Sequence, residues 1–150
     1  MRAKIAAIAI LSSIVPAAAS GGLGCTAKVK KVAFELNAGI TRGMGSPIFS
    51  FDGKVEIKDK GVSADLRKTA FKMDHVAQYW LDGKELRLDL YREREGSKPH
   101  GYVELVLYTK AKGDENEYAG TYELIVYDTV GDNVQAKQAK FKGKVGCFVE

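Results

Sequence analysis

Few residues of this chain are suited to chemistry by type, and their spacing favours structure over catalysis. The histidines are His75 and His100. Asp74 adjoins His75, yet in a strand it would project to the opposite side, because consecutive strand residues face opposite ways. No nucleophile elbow, H-E-x-x-H pair or glycine-rich phosphate loop is present. His75 and His100 with Asp74 or Glu93 lack the close ligand pairs of a zinc site. The turn at Asp132 offers too few oxygens for calcium. The expectation is therefore a non-enzymatic protein with no catalytic residue, no metal and no cofactor.

The remaining reactive pair is Cys25 and Cys147. They lack the C-x-x-C spacing of a redox pair, and an exported chain with two thiols most simply joins them. Such a bridge closes an interval worth roughly 4 kcal/mol in lost freedom of the unfolded chain. It also holds the two backbones within about 7 Å, so the first and last strands should lie side by side.

Export itself is read from residues 1–19. Arg2 and Lys4 precede an uncharged run from Ile5 to Val15, and Pro16 opens a small-residue stretch ending Ala17-Ala18-Ala19, the pattern of a cleavable signal peptide. The run is about half the ~20 residues of a membrane-spanning helix. A lipidated Cys25 is the competing outcome, but Gly22-Leu23-Gly24-Cys25 places the leucine one position too late. Residues 20–150 then form a single domain, periplasmic or secreted, long enough for a core of its own. Of the 23 basic residues two, Arg2 and Lys4, fall in the leader, which leaves 21 against 19 acidic. That balance does not point to nucleic acid.

The elements that must position these residues are strands. Phe49, Phe51, Gly53, Val55 and Ile57 alternate with polar residues, as do Leu86, Leu88 and Leu90, and Val103, Leu105 and Leu107. A period of two describes a half-buried strand. The phase slips between Val29 and Val32 and again between Ala136 and Ala139, which reads as two bulges. Folding about Asp82-Gly83 sets Tyr79 opposite Leu86, apolar against apolar, whereas folding about Asp52-Gly53 would set Phe51 opposite Lys54. The first is a hairpin turn, and the second a strand running straight through an inward Gly53. Eight strands follow, at 26–36, 48–58, 62–67, 70–81, 84–93, 101–110, 118–128 and 134–147, with a glycine-rich loop at 37–47.

A meander whose first and last strands touch is an up-and-down antiparallel β-barrel, and a β-sandwich is the alternative. The architecture resembles lipocalin-like or calycin-like barrels, although no G-x-W lies near the mature start and Trp80 is mid-chain. Charged residues opposite the apolar face, among them Lys54, Glu56, Arg87 and Asp89, argue against a membrane-spanning barrel.

Three features suit binding. Tyr102, Val106, Tyr108, Ile125 and Tyr127 would face outward on neighbouring strands as a partner surface. Lys137, Lys140, Lys142 and Lys144 would adjoin Lys28 and Lys30 as a basic patch, if they do more than keep a sheet soluble. Inside, Phe34, Phe49, Phe51, Tyr118, Tyr122 and Phe141 would meet Gly53, Ala64, Gly120 and Gly143, filling the core or leaving a cavity. The resulting expectation is an exported protein that binds an unknown protein or envelope component through its outer surface, as an inhibitor or interaction module, without nucleic acid. A carrier of a small apolar ligand is the alternative.

Overall fold

The computed structural model describes residues 20–150 except 42, 44 and 131–134. The expected leader and the expected Asp132 turn lie outside the described residues. Nine antiparallel strands form one sheet: β1 (Ser20–Lys28), β2 (Val32–Thr41), β3 (Ile48–Ile57), β4 (Lys68–Lys72), β5 (Val76–Leu81), β6 (Glu85–Glu93), β7 (Gly101–Lys112), β8 (Asp114–Val130) and β9 (Gln135–Val149). Their order, β4-β3-β2-β1-β9-β8-β7-β6-β5, curls into a nearly closed barrel rather than a two-sheet sandwich. The edges β4 and β5 are joined by a single 3-10 turn, Met73–His75, which packs against β3 and β6. Across this seam Arg92 Nη1 donates to the Ala70 carbonyl.

Nine strands replace the expected eight for identifiable reasons. The phase slip after Val29 is a reversal of the chain: Val29 N–H donates to the Val32 carbonyl at 2.8 Å, closing a two-residue Lys30-Lys31 turn between β1 and β2. No glycine, proline or asparagine announces it. The 62–67 segment forms turns rather than a strand, with Val62 and Leu66 still plugged into the core. The 70–81 segment is split by the 3-10 turn. The first five residues of the supposed 37–47 loop, Asn37 to Thr41, are the end of β2. No register shift interrupts β9 against β8, and Ala136 is simply an exposed residue opposite Thr129.

The first and last strands are adjacent as expected, with Cys25 directly opposite Cys147 and bonded to it. The Asp82-Gly83 turn forms one residue further on: Asp82 faces Glu85, Leu81 faces Leu86 and Tyr79 faces Leu88. Gly83 supplies the φ of +79° that such a reversal needs. The Asp82 carboxylate accepts the Lys84 and Glu85 amides at 3.0 and 2.8 Å. These backbone bonds hold its pKa below the usual value. β3 runs straight through Gly53, where a Cβ would stand 2.7 Å from Leu36.

The core is built from alternate residues of the strands. Phe34 meets Tyr122 edge-on with ring centroids 5.0 Å apart, and Tyr122 fills the space that a side chain at Gly143 would need. Phe51, Tyr118 and Tyr122 are buried and Phe141 is partly so. Two expected inward residues are not inside. Ala64 is exposed on the 59–67 turns. Phe49 is turned outward because Ser50 adopts φ +52° at a bulge between the Asn37–Asp52 and Gly39–Phe49 pairs, and its ring lies over Gly39. At one end of the barrel, Arg94 and Asp128 form an ion pair at 2.8 Å with both side chains under a tenth exposed. Asp65 sits 2.8 Å from Arg94 Nε, and Ser63 donates to the other Asp128 oxygen.

Candidate partner-binding surface

On the outside of β5 to β9, cross-strand registers align side chains into ranks. The first rank is Trp80, Arg87, Tyr108, Thr121 and Lys144. The second is Gln78, Asp89, Val106, Glu123 and Lys142. Tyr91, Glu104, Ile125 and Lys140 follow, and the last rank is Glu93, Tyr102, Tyr127 and Gln138. Neighbours along a rank sit at the spacing where cross-strand side chains interact. The arrangement is aromatic at both ends, acidic and apolar in the middle, and basic along β9.

All five residues expected to form a partner surface lie on this face: Tyr102, Val106, Ile125 and Tyr127 are half-buried, and Tyr108 is 55 % exposed. Tyr102 and Tyr127 stack at 5.3 Å with planes 12° apart. Tyr91 packs on Tyr102 at 5.1 Å, and His100 contacts both stacked rings at 6.0 and 5.7 Å. The Tyr91 hydroxyl donates to Glu93 at 2.9 Å. Burial and then Glu93 push its pKa up to about 12, keeping it a neutral donor. At the other end Trp80 is 57 % exposed beside Arg87, which Tyr108 flanks on its far side. Trp80, Arg87 and Tyr91 escaped the sequence reading because their membership depends on register across several strands rather than on alternation within one, and His100 because it lies in the loop before β7.

The acids between the aromatic ends differ in environment. Burial raises the pKa of Asp89, and one of its oxygens is buried without a hydrogen-bond partner. Glu104 is raised too, first by burial and then by the Asp89 and Glu123 carboxylates. Glu123 is lowered, because Lys140 and Lys142 hydrogen-bond to it at 2.8 and 2.6 Å.

The basic patch is rearranged. β1 pairs with β9 only from Leu23 to Thr26, so Lys28 and Lys30 stand across an opening from β9 instead of beside its lysines. Lys140, Lys142 and Lys144 face outward. Lys137 falls on the other phase of β9, with Ala139 and Phe141, opposite the buried Asp128.

His75 caps the 3-10 turn, its Nδ1 accepting the Lys72 amide at 2.8 Å, while His100 joins the tyrosines. Among the described residues, no group of three or more His, Cys, Asp or Glu is placed to hold a metal, and no helix is long and apolar enough to cross a membrane. No protein-family model, curated protein or solved structure matches the chain.

Proposed function

We propose that this is an exported, non-enzymatic binding protein that engages a protein partner through the outer face of β5 to β8. The observation that carries the reading is the gathering of Trp80, Arg87, Tyr91, Tyr102, Tyr108 and Tyr127 on one face. Tryptophan, tyrosine and arginine dominate the energetics of protein interfaces, since they remove large areas from water at small entropic cost. The aromatic ends supply that area. Asp89 and Glu104 between them, whose charged forms burial disfavours, favour a partner that brings a cationic group, which would stabilise those forms. The disulfide is in keeping with an oxidising compartment. The alternative of a carrier using the barrel interior has less support, because Tyr122, Phe34 and Leu36 occupy the spaces beside Gly143 and Gly53.

The reading is tested by a photo-reactive residue placed at Tyr108, with the same residue at Lys54 on the opposite wall as control, in cells of the native host. An adduct of defined mass is expected from position 108 and should disappear when Tyr102 and Tyr127 are also changed to serine. Equal adducts from both positions, or one indifferent to those substitutions, would reject the face as the binding surface.

A further inference from the structure

A second site lies where the barrel wall opens between β1 and β9, on the edge of β9 away from β8. After Thr26, β1 leaves β9 and turns back at Lys30-Lys31, whereas β9 stays paired to β8 down to Gln135. From Val145 to Gln135, one edge of β9 therefore pairs with no strand among the described residues. A cleft of about 800 Å³ occupies this opening. One wall is the consecutive run from Lys137 to Lys142, which means that the backbone edge itself faces the cleft. The other wall is the Lys30-Lys31 turn and the 59–63 loop, and the floor includes Tyr122 and Val126. The Tyr122 hydroxyl is buried without a hydrogen-bond partner there.

Backbone amides and carbonyls along a strand edge are the template on which an extended peptide adds as a further strand. The two phases of β9 specify what that peptide carries. Its outward side chains would lie beside Lys140, Lys142 and Lys144, and Glu123 offsets only part of this charge because one carboxylate is shared by two lysines. Its inward side chains would meet Ala139, Phe141 and the ring of Tyr122, an apolar surface bounded at one end by Lys137. The geometry points to a docking groove for an extended peptide segment alternating acidic and apolar residues, which adds to β9 where β1 departs.

The test uses the full mature protein and a blocked octapeptide of alternating glutamate and valine, followed by fluorescence anisotropy and amide hydrogen exchange. Saturable binding is expected, with new protection confined to 135–145. An N-methylated peptide of the same sequence cannot pair its backbone and should not bind, and a lysine–valine peptide should bind roughly tenfold more weakly or not at all. Lys140→Gln, Lys142→Gln and Lys144→Gln together should weaken binding by roughly tenfold, while the three arginine replacements restore it. Circular dichroism and disulfide content check that each variant is folded. No binding at about 1 mM, equal binding of the N-methylated peptide, or protection elsewhere would overturn the proposal. So would a concentration-dependent dimer that protects 135–145 without peptide, since the occupant would then be a second copy of this chain.

Discussion

At the scale of single residues, the glycines separate two uses of the smallest side chain. A Cβ at Gly120 would lie 1.9 Å from the Tyr108 carbonyl oxygen and 2.7 Å from Thr109 Cα, both backbone atoms that cannot swing aside. Gly120→Ala should therefore lower stability by roughly 2 kcal/mol or more. Gly146, with nothing within 4 Å of its added Cβ, should accept alanine with no loss or a small gain. Urea denaturation of the two variants separates these outcomes, and equal losses would contradict the packing described. Arg94 is constrained by charge instead. Arg94→Met would leave Asp128 buried without its cation and should cost about 3–5 kcal/mol by the same measurement. The Asp89 carboxyl, raised by burial, works in the opposite sense on stability. A raised acid favours folding while protonated, so its contribution is complete below the unfolded value of about 3.9 and is lost as pH rises through the folded value. Asp89→Asn should gain stability relative to wild type from about pH 4 upward. Thermal melts across pH would show a difference that widens with pH, and a constant difference would argue against the burial.

At the scale of the elements, tyrosines on a sheet's outer face should matter for binding and little for folding. Tyr108→Ser with Tyr127→Ser should cost under about 1 kcal/mol of stability while weakening a partner contact by on the order of 1 to 3 kcal/mol. Calorimetry with the partner caught by crosslinking measures both quantities. The orientation of these residues was legible in the sequence because alternation within β7 and β8 assigns each side chain a face. The adjacency of β1 and β9 was legible too, because a disulfide ties distant positions to one place. The Lys30-Lys31 turn was not, since two lysines between apolar runs look the same as a bulge. Ser50 concealed the flip of Phe49 for a similar reason: a residue with positive φ usually leaves a glycine as its mark, and here there is none. The 3-10 turn was hidden inside what looked like one long strand. The rank joining Trp80, Arg87 and Tyr108 depends on how three strands slide against one another, which no single strand's pattern contains.

At the scale of the whole molecule, the disulfide fastens the first strand to the last, midway along the strand order and far from the β4–β5 seam. β1 and β9 are hydrogen-bonded neighbours over only Leu23 to Thr26, and the Cys25–Cys147 bond sits within that stretch, across 122 positions of sequence. Cys147→Ser should lower stability by roughly 2 to 4 kcal/mol yet preserve the fold, as read by denaturation and far-ultraviolet circular dichroism. A loss of strand signal would mean that β1 and β9 cannot stay paired without the bond. The Glu150 amide donates to the Gly22 carbonyl at 2.8 Å, so the start of β1 and the last residue are already in contact. In its connectivity the domain is almost a ring. Where that ring is cut is then a matter of convenience rather than architecture, and a circular permutant joining Glu150 to Gly21 through a short linker, opened at the exposed 96–98 turn, should rebuild the same nine-strand order.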